Sequence, residues 1–265
     1  MMKKNLLLIL MCFVCGLVYA HDGLNFRNLD VKSGISDNYV RSVLRDQYGF
    51  MWFATLNGLN RYDGYQFKKY TTTQLGAYNN DIESIAEDAA GNIWIKGPVS
   101  YYIYDREQDK LENKIQPVLN KYGITGEVSY LTVDKDYNLW CTVMDTLFHY
   151  DFAKSKLHTF QLPGKEKMQQ VVCRRSCAYL LFSNGEIARI DSNFQHIRPE
   201  TRRTISSGLQ YNLYIDTVDR LWFYASHASG LQCYDTNQKQ WIDYVGRQEV
   251  TDALITAVMD DGDGN

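Results

Sequence analysis

The stretch Asp46-Gln-Tyr-Gly49-Phe-Met-Trp52 recurs along this 265-residue chain and decides the fold that we expect. Three further copies, Asp88–Trp94, Asp134–Trp140 and Asp216–Trp222, each place a Trp six residues after an Asp. The last residues, Asp261–Asn265, begin the same phrase again. A strand-like pattern that repeats roughly every 40–50 residues is typical of a propeller or a solenoid.

The first repeat is interpreted as four short antiparallel strands separated by turn residues. Apolar and polar side chains alternate in its first strand, which is the period of a half-buried strand. Asp46 and Gly49 favour a turn, and Asn57-Gly58 is a strong signal for a hairpin. The predicted strands are Val40–Arg45, Phe50–Thr55, Leu59–Tyr62 and Gln66–Tyr70. Four such strands in about 42 residues make one propeller blade.

Blades are counted from the Trp of each copy. One repeat lacks a Trp, and Leu180 is assigned to that slot because Ile190-Asp191 follows it as Tyr62-Asp63 follows Trp52. The anchors are Trp52, Trp94, Trp140, Leu180 and Trp222. They predict an all-β fold, a β-propeller of four-stranded antiparallel blades with about five blades and the start of a sixth.

The ring is expected to be incomplete within residues 21–265. Ile255–Met259 is predicted to be the first strand of the sixth blade. Phe26–Leu29 resembles the outer strand Phe67–Tyr70, so it is expected to complete the last blade of a closed ring.

The repeated side chains are interpreted as scaffold. Each Trp is expected to fill the wedge between blades, with a platform for a sugar ring as the alternative. Asp46, Asp88, Asp134 and Asp216 are expected to cap turns rather than to form a catalytic pair, because they occupy one turn position around the ring. The ending Asp261–Gly264 fits the same turn, and a calcium loop is the alternative. No catalytic residue, metal or cofactor is predicted.

Residues 1–20 are predicted to be a signal peptide. Lys3 and Lys4 precede an apolar run, and cleavage is expected after Ala20, with a membrane anchor as the alternative. Removing both lysines leaves 26 basic residues against 31 acidic ones. Because the basic residues are scattered along the chain, nucleic acid is not expected to be a partner. Cys173 and Cys177 could form a disulfide or remain free, and the spacing of Cys and His does not suggest zinc.

Gly34-Ile-Ser-Asp-Asn38, followed by Val40, Asp46, Gly49–Trp52 and Asn57–Gly64, closely resembles a two-component regulator propeller repeat. It is similar to the first repeat of the Bacteroidetes hybrid two-component sensors. The resemblance implies two seven-bladed periplasmic propellers, then an immunoglobulin-like domain, a membrane helix, a histidine kinase, a receiver and an AraC-type DNA-binding domain. The kinase residues of that family have no counterpart in this chain.

The resemblance also implies a function. This segment is expected to be periplasmic, to sense a glycan-derived oligosaccharide and to control polysaccharide-utilisation genes, as part of an inner-membrane protein that forms a homodimer. Its partners would be the ligand and the rest of the same polypeptide. An exported propeller enzyme acting on polysaccharide and a non-catalytic protein-binding scaffold stay open as alternatives.

A ligand site is expected on the loops at one face of the propeller, since function is commonly carried by loops on a rigid scaffold. Loops before the first strand of a blade and between its second and third strands share a face. Tyr39, Tyr78 and His227 lie in these loops and could stack on a sugar or form hydrogen bonds with it. The alternative is that they are ordinary exposed loop residues.

Overall fold

The computed structural model describes residues 26–164, 166–174, 177–191, 193–206, 209–225, 230–243, 255 and 258. These residues form five four-stranded antiparallel sheets, each made of strands that are consecutive in the chain. The predicted all-β propeller fold is confirmed, and the described sheets do not close a ring. The predicted signal peptide lies outside the described residues.

Each sheet is one blade, numbered in chain order. Blade 1 contains β1 (Val40–Arg45), β2 (Met51–Thr55), β3 (Gly58–Tyr62) and β4 (Phe67–Tyr70). Blade 2 contains β5 (Ser84–Glu87), β6 (Ile93–Lys96), β7 (Tyr101–Asp105) and β8 (Lys110–Glu112). Blade 3 contains β9 (Val128–Val133), β10 (Leu139–Val143), β11 (Thr146–Asp151) and β12 (Lys156–Gln161).

Blade 4 contains β13 (Met168–Arg174), β14 (Cys177–Phe182), β15 (Glu186–Ile190) and β16 (Ile197–Arg202). Blade 5 contains β17 (Tyr211–Ile215), β18 (Arg220–Ala225), β19 (Leu231–Asp235) and β20 (Gln240–Asp243). Within the described residues, the helical segments lie outside the sheets: 3-10 turns at Val31–Ser33 and Thr73–Leu75, and helix α1 at Gln116–Lys121.

Successive blades pack face to face around an arc. The first strands of neighbouring blades contact one another from β1 to β5, β9, β13 and β17. The second strands of blades 1 to 4 carry buried side chains of the seam to the next blade. Trp52 lies in one buried cluster with Ile85 and Ile95 of blade 2. Trp94 lies in another with Leu131 of blade 3.

Two faces of the arc differ in their connections. We call the loop face the side that carries the segments entering the first strand of each blade and the turns between second and third strands. We call the turn face the side that carries the turns between first and second, and between third and fourth, strands. The blade edges meet at both faces, so loops from neighbouring blades come together there.

Leu180 does not occupy the slot of the repeated Trp, which corrects the assignment from spacing. Leu180 packs with Trp140 of blade 3, whereas Tyr179 packs with Leu213 and Ile215 of blade 5 and is only 3% exposed. The cause is the loop between β14 and β15, in which Ser183–Gly185 is one residue longer than the Leu56-Asn57 turn of blade 1. A one-residue change moves each side chain to the opposite face of a strand.

Neither end of the predicted ring is tested by the described sheets. Residues 26–29 form no strand and Phe26 is 90% exposed, but the last blade that Phe26–Leu29 is expected to complete is not among these sheets, so the closing strand stays a prediction. A strand needs a partner for its backbone hydrogen bonds, and within the described residues none pairs with this segment. The first strand of the sixth blade stays a prediction, because only Ile255 and Val258 of that segment are described.

The four cysteines within the described residues are free thiols. Cys173 pairs with Ala178, and Cys177 pairs with Arg174, across the β13–β14 hairpin. Side chains at successive positions point to opposite faces of a sheet, so Cys173 contributes to the cluster with blade 3 and Cys177 to the cluster with blade 5. The hairpin therefore separates the two sulfur atoms, and no disulfide links them.

Candidate functional site

The repeated Asp and Trp form one hydrogen-bonded unit, which we call the Asp–Trp latch. In blade 1, Asp46 Oδ1 accepts from the backbone N–H groups of Tyr48 and Phe50 at 3.0 and 2.9 Å. Its other oxygen, Oδ2, accepts from Trp52 Nε1 at 2.9 Å. The carboxylate thus fixes the turn and the indole together.

The same latch occurs in three more blades. The Trp Nε1 to Asp Oδ2 distance is 2.8 Å in each of Asp88–Trp94, Asp134–Trp140 and Asp216–Trp222. Trp52, Trp94 and Trp140 are at most 2% exposed, so these rings are packed in seams and offer no surface to a sugar. Among the described residues of blade 4 no such latch is found, and Tyr179 takes the Trp position.

Burial acts on the latch carboxylates to different extents. Desolvation raises the pKa of Asp88 and of Asp134 above their usual range. Desolvation also opposes ionisation of Asp216, but hydrogen bonds from Trp222 and Arg220 outweigh it, so the pKa of Asp216 is lowered. Asp88, Asp134 and Asp216 are each held by donors within their own blades, which accounts for their position as turn caps.

The seam between blades 1 and 2 is closed by a charged cluster. Arg61 on β3 contacts Asp109 of blade 2 at 3.1 Å, and Lys68 on β4 forms an ion pair with the same carboxylate. The hydroxyls of Tyr70 and Tyr104 donate to Asp109 at 2.5 and 2.6 Å. Although desolvation opposes ionisation, these donors hold the pKa of Asp109 well below its usual range.

The turn face strengthens the same seam. Arg106 of blade 2 reaches Asp46 Oδ2 at 3.1 Å and Glu87 at 3.0 Å. The backbone N–H of Gln47 donates to Glu87 at 2.9 Å. Burial raises the pKa of Glu87. Arg106 therefore ties the latch of blade 1 to the first strand of blade 2.

The seam between blades 3 and 4 is built differently. At the positions of Arg61 and Lys68, blade 3 carries His149 and His158, which face each other across β11 and β12. The His149 ring stacks on Trp140 at 4.0 Å and on Phe194 of blade 4 at 4.8 Å, measured between ring centroids. A cleft of about 620 Å3 runs beside these rings. Burial lowers the pKa of His149 to about 4.

The loop face holds two of the three predicted ligand residues. Tyr39 precedes β1 and is 55% exposed, and Tyr78 precedes β5 and is fully exposed. Their loops are linked by an ion pair of 3.1 Å between Arg41 and Asp81. His227, the third candidate, lies outside the described residues.

Buried polar side chains hold these loops in place. Asn60 Oδ1 accepts from the backbone N–H of Ser36 at 2.8 Å, and the hydroxyls of Ser36 and Thr55 are 2.9 Å apart. Asn80 Oδ1 accepts from the backbone N–H groups of Thr72 and Thr73, each at 3.0 Å. The exposed tyrosines are therefore carried on segments that are fixed to the blade cores.

The comparisons with known proteins agree with this architecture. A family model described as a two component regulator propeller matches residues 34–57. The resemblance to a two-component regulator propeller repeat, predicted from the sequence, is thereby confirmed. Among curated proteins, no sequence matches the chain.

Solved structures with the same propeller fold include two extracellular domains of hybrid two component systems from B. thetaiotaomicron. The chain is 21% identical to the BT3049 domain, with a TM-score of 0.57. The aligned region covers 82% of this chain and 31% of that domain. For the BT4673 domain, the identity is 19% and the TM-score is 0.58. The aligned region covers 89% of this chain and 33% of that domain. The chain therefore spans about a third of the length of these relatives.

An enzyme with a similar fold is more distant in sequence. Virginiamycin B lyase from Staphylococcus aureus has a TM-score of 0.51 at 13% identity, with coverage of 78% of this chain and 69% of the lyase. At such identities the likeness extends to the propeller fold alone.

The propeller exposes further apolar side chains that sequence reasoning did not single out. Leu56, Val99 and Met144 occupy the turn between second and third strands in blades 1, 2 and 3, at 40%, 94% and 88% exposure. With Tyr39 and Tyr78 they are exposed apolar side chains on the loop face. The signal in the sequence was an apolar residue in the turn between the second and third strands of blades 1, 2 and 3, where polar residues are the norm.

Two other searches of the described residues bear on site chemistry. Within the described ranges, no group of three or more His, Cys, Asp or Glu side chains is arranged to hold a metal ion. In the same part of the chain, no helix is long and apolar enough to cross a membrane.

Proposed function

We propose that this chain is part of the periplasmic ligand-sensing region of a hybrid two-component sensor histidine kinase. The observation that carries the proposal is the two-component regulator propeller repeat at residues 34–57, within a fold shared with extracellular domains of such systems. The kinase and the membrane helix would belong to other parts of the same polypeptide.

The ligand that we propose is an oligosaccharide released from a complex glycan, whose binding would switch on polysaccharide-utilisation genes. The loop face supports this idea because it combines exposed tyrosines with fixed polar loops. Aromatic rings can stack on the apolar face of a sugar, while carboxylates and amides bind its hydroxyls. Tyr39, Tyr78 and the neighbouring Asn79 and Asp81 supply both kinds of group.

Binding would act by shifting an equilibrium between arrangements of the propeller and its partners. A ligand can shift such an equilibrium only as far as its affinities for the two arrangements differ. The loop face suits this role, because blades 1 and 2 both contribute to it and are locked together by Arg61 and Arg106.

Calorimetry with a panel of oligosaccharides, together with a reducing-sugar assay, tests the proposal. We expect one glycan class to bind without being cleaved, and Tyr39→Ala and Tyr78→Ala each to weaken binding by about tenfold, which corresponds to about 1.4 kcal/mol. Tyr65→Ala is the matched control, since Tyr65 is 89% exposed on the turn face. Release of reducing ends by the protein would instead support the enzyme alternative.

A further inference from the structure

His149 is a buried polar side chain that lacks hydrogen-bond partners. It is 2% exposed, and neither ring nitrogen has a partner among the described residues. The nearest carboxylate oxygen, Asp134 Oδ2, is 3.9 Å from Nε2, and it already accepts from Trp140 Nε1 at 2.8 Å. The neutral imidazole packs against the rings of Trp140 and Phe194, whose centroids lie 4.0 and 4.8 Å from its own.

Arg61 occupies the matching position in blade 1 and shows how a permanent positive charge is compensated there. There, Arg61 meets Asp109 of the next blade, together with two tyrosine hydroxyls. In blade 4, the turn that faces His149 brings Phe194 to the seam instead of a carboxylate. A positive charge on His149 would therefore be buried against a ring without a compensating anion from blade 4, which is costly.

Phe194 is itself held in an uncommon backbone conformation. Its φ is 53°, in the left-handed region that bulky side chains rarely occupy. The residues with positive φ in the corresponding turns of blades 2, 3 and 5 are Asp109, Ser155 and Lys239. The left-handed conformation is therefore a property of this type of turn and places Phe194 at the seam, independently of its contact with His149.

We propose that the seam between blades 3 and 4 is an acid-sensitive joint, in which protonation of His149 displaces Phe194 and loosens blade 4 from blade 3. A protonated ring needs acceptors at both nitrogens. It can take Asp134 away from Trp140, which breaks the latch of blade 3, or it can bind water through the adjoining cleft of about 620 Å3. Either outcome disturbs the packing of Trp140 against blade 4.

The other charged and titratable groups along the cleft belong mainly to blade 3. Asp151 and Lys154 form an ion pair of 2.9 Å in the turn after β11. Asn193 and Phe194 are the cleft residues of the blade 4 turn, so this turn brings no charge to the described lining. The titratable and charged lining side chains are Asp134, Asp136, His149, Asp151, Lys154, Lys156, His158, Cys173 and Cys177.

The joint is connected to the loop face by its strands. Trp140 and His149 lie on β10 and β11, and these two strands meet in the turn that carries the exposed Met144. Movement of these strands at the turn face would therefore alter the position of Met144 at the opposite face. This coupling goes beyond the proposed ligand sensing and does not depend on the identity of a ligand.

Urea unfolding of the full chain at pH 7 and pH 5 tests the proposal. Because the pKa of His149 is about 4 in the folded protein and 6.5 when unperturbed, its contribution to stability is present above pH 6.5 and is lost as the pH falls toward 4. We expect the unfolding equilibrium constant to rise by roughly twentyfold from pH 7 to 5 through this residue. His149→Phe should abolish this increment, and the exposed His196→Phe should retain it.

Hydrogen exchange on the same proteins locates the effect. After correction for intrinsic rates, exchange in wild-type β10, β11 and β15 should accelerate more from pH 7 to pH 5 than exchange in β2 and β3, which open only with the whole chain. His149→Gln serves as a second non-titrating variant if the Phe variant fails to fold. Equal acid sensitivity in wild type and non-titrating variant, or equal acceleration in blades 1 and 3, would overturn the proposal.

Discussion

At the scale of single residues, one carboxylate performs two tasks in each latch. Asp88 caps its turn through the backbone N–H groups of Ala90 and Asn92 and holds the indole of Trp94 at 2.8 Å. Because Asp88 is 2% exposed, water cannot take the place of its carboxylate oxygens as hydrogen-bond acceptors when the side chain is removed. Loss of the side chain would leave a buried indole N–H without a partner, which costs more than the loss of an exposed cap.

We therefore expect Asp88→Ala to lower the free energy of unfolding by about 2–4 kcal/mol, measured by urea denaturation. Asp105→Ala is the matched control, since Asp105 caps the β7–β8 turn through Glu107 and Gln108 but binds no Trp. The Asp105→Ala substitution should lower the free energy of unfolding by about 1 kcal/mol. Equal losses in the two variants would show that the indole bond contributes nothing beyond turn capping.

At the scale of elements, the connection between the second and third strands of blade 4 depends on glycine. Gly185 has a φ of 78°, and a Cβ there would lie 2.1 Å from the carbonyl oxygen of Arg203. Gly64 also has a positive φ, of 99°, but a Cβ at Gly64 would meet no atom within 4 Å. An alanine at Gly185 would therefore meet both backbone strain and a steric conflict with Arg203, whereas an alanine at Gly64 would meet backbone strain alone.

Gly185→Ala should destabilise the protein by more than the roughly 1–3 kcal/mol of backbone strain expected for Gly64→Ala. The comparison of urea midpoints for the two variants measures the contribution of close backbone approach. If Gly185→Ala cost no more than Gly64→Ala, the β14–β15 loop would have to shift freely away from Arg203.

The elements also show what sequence could predict. The strands of blade 1 begin and end within a residue or so of the predicted bounds, because alternation and Asn57-Gly58 act locally. Leu180 was misplaced because spacing cannot distinguish a longer loop from a longer strand, and Ser183–Gly185 added one residue. The indole bond of each latch and the environment of His149 depend on contacts across the fold, so no local pattern indicates them.

At the scale of the whole molecule, the first blade presents an uncovered face. Phe53 points away from blade 2 and is only partly buried, whereas its counterparts Ile95, Cys141 and Phe223 are at most 2% exposed. Val43 on the same face is 53% exposed. In the part of the chain that the structure describes, no blade packs against this face.

An uncovered apolar sheet face favours association, so we expect residues 21–265 expressed alone to form oligomers in sedimentation velocity experiments. Val43→Lys should shift the distribution toward monomer, because a charge on this face would have to be desolvated on association. Val218→Lys, on the turn face and 47% exposed, should leave it unchanged. A monodisperse wild-type monomer would contradict this expectation.

The Asp–Trp latch has a consequence for how such chains change over generations. Both partners lie six residues apart within one blade, so the bond survives when a blade is copied, deleted or moved as a block of DNA. The contacts of Arg61 and His149, in contrast, require a suitable neighbour and are lost when the order of blades changes. Duplication with breakpoints between β4 and β5 would therefore transmit folded units intact, while each new junction would have to be selected again.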